Sequence, residues 1–168
     1  MLGYMREKLM EEKEKIYEAT HLMCREIQAP IVSALIERFS EEFGVEKTQA
    51  LAKKIICKDA VLSGKTLAEK YSGNSLNELL KIVEEVWAKD GTLEITNLAL
   101  EKDCLKFDVT RCRYAEMYDR LGIKKLGSLL SCCRDFAFMD GFNPGLRLVR
   151  TKTIMDGDDI CDFCYLPK

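Results

Sequence analysis

The sequence predicts an α+β fold, in which an N-terminal helical layer packs on a C-terminal antiparallel sheet of about four strands with a helical insertion. Two observations lead to this fold class. Residues 1–91 have the apolar spacing and capping residues of helices, whereas residues 92–168 contain two pairs of β-rich segments separated by a helical stretch. With 168 residues, of which 47% are apolar and 32% charged, the chain fits a single domain, residues 1–168.

Four helices are predicted in the helical layer, with the approximate ranges 4–26, 30–43, 46–62 and 76–89. Pro30 suits the first turn of a helix, where its missing N–H costs nothing, and Gly44 suits the stop that follows. Ser63-Gly64 is expected to close the third helix. Ser75 and Glu78 have the spacing of a capping box that opens the fourth.

Two strand pairs are predicted in the second half. The first is a hairpin of residues 93–100 and 105–112 around a polar turn. Its apolar residues share one parity and are expected to face the helices, which places Cys112 on the opposite, polar face unless a bulge intervenes. Helices are expected over 114–120 and 124–138. The second pair is expected over 146–154 and 159–166, after a turn at 143–145.

Charge and composition limit the partners and the location of the chain. The net charge is −2 and no stretch concentrates Lys and Arg, so neither nucleic acid nor a membrane surface is an expected partner. No apolar run resembles a signal peptide or a membrane span, which predicts a soluble, cytoplasmic protein. In that reducing compartment its eight cysteines are expected to be free thiols.

Two conspicuous features carry little functional signal. Cys161-Asp-Phe-Cys164 has the CxxC pattern but lies in a predicted strand, where residues three apart point to opposite faces. His21, the single histidine, lies in the helical region and is more simply explained by surface exposure or helix packing. Glycine-rich phosphate loops and a GxSxG elbow are absent from the sequence.

A dispersed set of thiols with one carboxylate is the more informative feature. Cys112 ends a predicted strand, Cys132 and Asp135 belong to the helical insertion, and Cys161 lies in the last strand. An insertion that folds back over the sheet would bring these side chains together. Such a group can supply a nucleophile and an acid/base, or the ligands of a soft metal. The alternative is that the cysteines pack between sheet and helix while Asp135 caps a turn.

Four ordered sequence blocks, residues 107–118, 132–138, 141–154 and 157–163, resemble the L-2-amino-thiazoline-4-carboxylic acid hydrolase family. The resemblance implies hydrolytic ring opening to N-carbamoyl-L-cysteine, or a reaction of a related small cyclic amidine-like substrate. It places the family's cysteines on Cys112, Cys132 and Cys161 and its acid on Asp135. The CxxD spacing favours Cys132 as the reactive thiol and leaves Cys133 open.

The resemblance also implies a mechanism and a small-molecule substrate. Asp135 is the expected acid/base, Cys132 the nucleophile or a supporting thiol, and Cys112 and Cys161 line the pocket. Arg150 and Arg134 are candidates for binding the substrate carboxylate, because a guanidinium group matches it.

Two other classes of function fit the same residues. One is a non-catalytic small-molecule or metal-binding module that uses the cysteine cluster. The sequence indicates no definite cofactor, and a soft divalent metal is the candidate for this module. The other is an interaction protein whose first helix docks a partner or a second copy of the chain, giving a homo-oligomer.

Overall fold

The computed structural model describes residues 19–168 and confirms the α+β class, with helices first and an antiparallel sheet after them. The predicted helix 4–26 lies mostly outside these residues. The five α-helices of this part are α1 His21–Phe43, α2 Val45–Lys70, α3 Leu76–Ile82, α4 Arg113–Arg120 and α5 Cys133–Phe142. The strands are β1 Leu93–Glu101, β2 Cys104–Cys112, β3 Leu146–Val149 and β4 Cys161–Pro167.

Helices α1 and α2 are each longer than the sequence indicates. Helix α1 runs without a break through Pro30, so the predicted start of a new helix there is wrong. Its buried face, with Ala29 and Ile36 on either side of the proline, keeps the helix continuous although Pro30 donates no hydrogen bond. Gly44 ends α1 as predicted, and its backbone N–H donates to the Ser40 carbonyl.

The predicted stop of α2 at Ser63-Gly64 is also wrong, because the helix continues to Lys70. Gly64 lies where α2 touches α5, and a Cβ atom at this position would collide with the Phe138 carbonyl. In the facing helix, Gly141 makes the reciprocal approach to the Val61 carbonyl. The glycines therefore let two helix backbones come into contact.

The capping box that opens α3 is confirmed. The Ser75 N–H donates to Glu78 Oε2 at 3.1 Å, and the Asn77 N–H donates to the Ser75 hydroxyl at 3.2 Å. The helix continues as a π-helical turn over Val83–Trp87. This turn carries Trp87, the single tryptophan of the chain, whose ring packs edge-on against Phe138.

The four strands form one antiparallel sheet in the order β1-β2-β4-β3. A bulge interrupts the pairing of β1 and β2, because Ile95 pairs with Val109 while Glu94 pairs with Arg111. The extra residue, Thr110, reverses the parity of the strand after it. Cys112 consequently packs with the apolar core, and the polar position predicted for it without a bulge is wrong.

Strand β3 is shorter than predicted, since it ends at Val149 and the chain then forms a loop. The Asp162 carboxylate accepts hydrogen bonds from the N–H groups of Thr151 (2.9 Å) and Lys152 (2.5 Å). These are donors that a longer strand would use for pairing. A short 3₁₀ turn, Ile154–Asp156, follows before β4.

The core has two parts that meet near β2. The larger part lies between α3, α5 and the sheet, and the smaller part lies between α1, α4 and the segment that precedes α5. Leu93, Cys112 and Ile154 pack against both parts. Among the helices of residues 19–168, none is long and apolar enough to cross a membrane.

Candidate functional site

A cavity of about 430 Å³ is lined by residues of both parts of the core. Most of its wall is apolar and includes several aromatic rings, among them Trp87, Phe107, Phe138 and Phe163. All six residues singled out from the sequence also line it, namely Cys112, Cys132, Arg134, Asp135, Arg150 and Cys161.

Five separate segments bring these side chains to the cavity. Cys112 is the last residue of β2 and reaches the apolar side through the bulge. Cys132 ends a π-helical turn, Ser128–Cys132, and Asp135 lies in the first turn of α5. Cys161 is the first residue of β4. Arg150 directly follows β3, in the loop that the Asp162 carboxylate holds.

Asp135 and Arg150 form an ion pair in the cavity wall, with 2.5 Å between Oδ2 and Nη1. Arg150 also donates to the Cys132 carbonyl at 3.1 Å, and its guanidinium carbon lies 5.1 Å and 5.0 Å from the ring centres of Phe136 and Phe163. The Arg150 side chain is 6% exposed, whereas that of Asp135 is 28% exposed. The buried Arg150 side chain thus holds the Asp135 carboxyl group in place, and part of the Asp135 side chain remains accessible to a ligand.

Burial controls the protonation of Asp135. Removal from water raises the pKa of this carboxyl group, while the charge of Arg150 and its hydrogen bond oppose the rise. The charges of Arg134 and Arg25 act in the same direction as that of Arg150. A carboxyl group with a raised pKa inside a cavity is suited to donate and accept a proton.

Two of the cavity thiols, those of Cys132 and Cys112, are neutral at pH 7. Burial raises the pKa of Cys132 to about 12, with a further contribution from the Asp135 charge. Burial likewise raises the pKa of Cys112 to about 11. Thr153 lies between two of the sulfurs, with its hydroxyl 3.7 Å from Cys132 Sγ and 3.8 Å from Cys161 Sγ.

The thiols are not arranged as a metal site. Within residues 19–168, no three His, Cys, Asp or Glu side chains are grouped closely enough to hold one ion. The two cysteines of the CxxC pattern lie on opposite faces of β4. The Cys161 sulfur accepts from the Ile154 N–H on the cavity side, whereas the Cys164 sulfur lies 3.6 Å from that of Cys104.

Several polar residues of the cavity wall were not singled out from the sequence as site residues, and three of them contact one another. His21 Nδ1 lies 2.8 Å from the Tyr114 hydroxyl, and His21 Nε2 lies 3.4 Å from Nη2 of Arg25. Burial first, and then the charges of Arg25 and Arg134, lower the pKa of His21 to about 4, so the ring is neutral. The only signal in the sequence is the i,i+4 spacing of His21 and Arg25, which places them on one helix face.

The fold and the cavity define a class of α+β domains with a largely apolar cavity between helices and sheet. Within that class the chain belongs to the L-2-amino-thiazoline-4-carboxylic acid hydrolase family, whose sequence profile matches residues 24–165. This match confirms the resemblance noted from the four sequence blocks. A search of curated proteins gave no match.

Two solved structures show the same fold at low sequence identity. One is the phenol-responsive sensory domain of the transcription activator PoxR with phenol (12% identity, TM-score 0.53), and the match covers 82% of this chain and 73% of that one. The other is trafficking protein particle complex subunit 3 from Naegleria fowleri, covalently bound to palmitic acid (13% identity, TM-score 0.52). That match covers 87% of this chain and 96% of the other.

Proposed function

We propose that the protein opens the ring of L-2-amino-thiazoline-4-carboxylate, or of a related small cyclic amidine-like substrate, by hydrolysis inside this cavity. The product from the named substrate is N-carbamoyl-L-cysteine. The observation that carries the proposal is the Asp135 carboxyl group, which is fixed by Arg150, has a raised pKa and remains accessible from the cavity. Membership of the hydrolase family supports the same reaction class.

Asp135 is the proposed acid/base. Its protonated carboxyl group donates a proton to the ring nitrogen, which makes the adjacent ring carbon C2 more electrophilic. Water adds to C2 and returns a proton to the Asp135 carboxylate. The bond between C2 and the ring sulfur then breaks and its electron pair leaves with sulfur. The sulfur gains the proton that the new hydroxyl group loses, so the net reaction consumes one water molecule.

The thiol pKa values favour water over a cysteine as the nucleophile. A pKa of about 12 leaves Cys132 almost entirely in the thiol form at pH 7, and only the thiolate attacks efficiently. In the proposed mechanism Cys132 supports the substrate as a neutral thiol, held near Thr153. Cys112 and Cys161 complete the same side of the cavity.

The test is a ring-opening assay that follows release of the product thiol. We expect Asp135→Asn to lower kcat/KM by a factor of at least about 100, because the proton donor is lost. Asp140→Asn is the matched control, since Asp140 lies on the same helix, is exposed and pairs with Lys168 outside the cavity. The rate of the wild type is expected to fall as pH rises through the raised pKa of Asp135, because only the protonated form donates.

A second pair of variants separates the neighbouring cysteines. Cys132→Ser alters the cavity wall, whereas Cys133→Ser alters a sulfur that donates to the Leu129 carbonyl outside it. Ring opening that survives in both Asp135→Asn and Cys132→Ser would show that these residues do not carry the reaction.

A non-catalytic small-molecule-binding module is the second candidate, and the size and lining of the cavity favour it. At about 430 Å³ the cavity falls within the range of pockets that hold drug-sized ligands, and its aromatic wall suits a larger apolar molecule. Phenol and palmitic acid, named for the two structural neighbours, both combine an apolar body with a single polar group. Wild-type protein that binds phenol, seen as a change in Trp87 fluorescence, but opens no thiazoline ring would favour this candidate.

A further inference from the structure

Arg25 is the one arginine of the cavity wall without a carboxylate partner among residues 19–168. Arg150 is paired with Asp135, and Arg134 is paired with Asp59 at 2.5 Å while it also donates to the Ile56 carbonyl. Both arginines that the sequence offered for the substrate carboxylate are therefore already engaged. Arg25 instead donates to the Gln28 side chain at 2.9 Å and contacts the uncharged His21 ring.

The guanidinium group of Arg25 is only partly satisfied. Its Nε atom is buried and has no hydrogen-bond partner among residues 19–168. Burial, and then the nearby charge of Arg134, lower the pKa of Arg25, which means that both destabilise its positive charge. A buried cation with unused donors gains free energy when an anion arrives, because the anion offsets the cost of removing the charge from water.

The His21 contacts leave the Tyr114 hydroxyl as a second donor of the cavity wall. Because Arg25 can only donate, His21 Nε2 must accept, so the ring proton is on Nδ1 and is donated to the Tyr114 oxygen. Among residues 19–168 the Tyr114 hydroxyl then has no acceptor for its own hydrogen. Burial raises the pKa of Tyr114, so the hydroxyl group keeps this hydrogen. Arg25 and Tyr114 lie on different sides of the His21 ring, both line the cavity, and each can donate to a bound carboxylate.

The net charge of the cavity wall favours an anionic ligand. The charged side chains that line it are Arg25, Arg134, Asp135 and Arg150. When Asp135 is ionised it compensates Arg150, and the neighbouring Asp59 compensates Arg134, so that Arg25 has no carboxylate partner among residues 19–168. A ligand with one negative charge supplies that partner. When Asp135 is protonated, as in the proposed reaction, the wall is more positive still, and a neutral ligand is even less well matched.

We infer that Arg25, assisted by the Tyr114 hydroxyl, is the site that binds the ligand carboxylate, so that the cavity selects monocarboxylates. The identity of the ligand rests on the proposed function, in which the bound carboxylate belongs to L-2-amino-thiazoline-4-carboxylate. Arg150 has a different role, because it positions Asp135. The two arginines are therefore expected to affect different kinetic constants.

The kinetic test compares two substrates that differ only in the carboxylate. For L-2-amino-thiazoline-4-carboxylate, Arg25→Gln is expected to raise KM by about 10- to 100-fold with a much smaller change in kcat, since a charged hydrogen bond of the bound state is lost. For 2-amino-2-thiazoline, which lacks the carboxylate, kcat/KM is expected to change far less, and only through the effect of the Arg25 charge on the pKa of Asp135. The control Arg38→Gln, on the exposed side of the same helix, is expected to change neither.

A binding test is independent of turnover. Trp87 lines the cavity and is the single tryptophan, so its fluorescence reports occupancy. Benzoate and benzamide have the same shape and differ in charge. We expect the wild type to bind benzoate at least tenfold more tightly than benzamide, and Arg25→Gln to lose that preference. Tyr114→Phe, which removes one hydroxyl group, is expected to reduce the preference by several-fold, and it remains informative if Arg25→Gln does not fold.

The two tests distinguish the inference from the proposed function. An unchanged benzoate preference in folded Arg25→Gln, or in Tyr114→Phe if the arginine variant does not fold, would overturn the inference, whether or not the thiazoline ring is opened. Equal binding of benzoate and benzamide by the wild type would overturn it as well. A benzoate preference that depends on Arg25, in a protein without ring-opening activity, would support the inference while the proposed reaction fails.

Discussion

Cys132 and Cys133 are neighbours in the sequence but lie in different surroundings. The π-helical turn that ends at Cys132 directs this side chain into the cavity, near Asp135 and Thr153. Cys133 points away, donates to the Leu129 carbonyl at 2.9 Å and interacts with Cys57 on α2. The Asp135 charge is the second-largest cause of the raised pKa of Cys132, whereas for Cys133 it ranks behind burial and the neighbouring Cys57.

This difference predicts the reactivity of the Cys132 thiol. At pH 7.5 we expect iodoacetamide to modify Cys132 at least about a hundredfold more slowly than free cysteine, because its pKa of about 12 leaves very little thiolate. Asp135→Asn removes a negative charge that raises this pKa, and is expected to speed up the modification. Peptide mapping by mass spectrometry measures both rates.

Two comparisons test that interpretation of the thiol pKa. Asp140→Asn lies on the same helix but outside the cavity, and is expected to leave the rate at Cys132 unchanged. Modification of wild-type Cys132 at the rate of free cysteine would contradict the raised pKa. It would also make the Cys132 thiolate a candidate nucleophile for ring opening.

At the level of residues, the chemistry of the cavity was easier to predict than its charge balance. The sequence blocks identify Cys112, Cys132, Asp135 and Cys161, and all four line the cavity. Arg25 and His21 could not be singled out, because their role depends on the contact between His21 and Tyr114. These two residues are 93 positions apart in the chain. No local pattern encodes such a contact.

The elements that carry Asp135 are held by a close contact between two helices. Gly64 of α2 and Gly141 of α5 allow the two backbones to approach, and Phe138 and Phe142 pack beside this contact. Asp135 lies on the same helix, less than two turns before Gly141. The position of the carboxyl group therefore depends on how closely α5 approaches α2.

Gly141→Ala is expected to be destabilising for this reason. Its Cβ atom would collide with the Val61 carbonyl, and a backbone atom cannot move aside as a flexible side chain can. We expect the free energy of unfolding to fall by about 1–3 kcal/mol. Displacement of α5 is expected to lower ring-opening activity in the fraction that remains folded. Urea denaturation followed by circular dichroism measures the stability.

Lys65→Ala is the matched control for the helix contact, since Lys65 follows Gly64 in α2 and points into solvent. It is expected to change the free energy of unfolding by less than about 0.5 kcal/mol. A Gly141→Ala variant as stable as this control would mean that the two helices do not need their close approach.

Elements whose ends are determined locally were predicted well from the sequence, and elements that depend on distant partners were not. The Ser75–Glu78 capping box and the β1–β2 hairpin are formed by neighbouring residues, and both are confirmed. Helix α2 passes Gly64 because a helix more than 70 positions later packs there. Strand β3 ends early because Asp162, from the neighbouring strand, binds the N–H groups that follow it.

For the whole molecule, the outer side of the α1–α2 hairpin is an unusual surface. Seven large apolar side chains are each 48% to 69% exposed there: Ile27, Ile31, Leu35, Phe39, Phe43, Leu51 and Ile55. Their combined exposed area is comparable to the roughly 800 Å² of surface that each partner contributes to a standard-size protein interface. An apolar surface of this extent is typical of an interaction site.

A second copy of the chain is the occupant that we expect on this surface. Two copies related by a twofold axis bury the same apolar side chains on both sides. We therefore expect a dimer in size-exclusion chromatography with light scattering.

Ile31→Lys, near the middle of the surface, is expected to weaken the dimer at least tenfold, because it buries an unpaired charge. The control Leu98→Lys places the same charge on an exposed position of β1 and is expected to leave the dimer intact. A wild-type protein that stays monomeric at tens of micromolar would contradict the dimer.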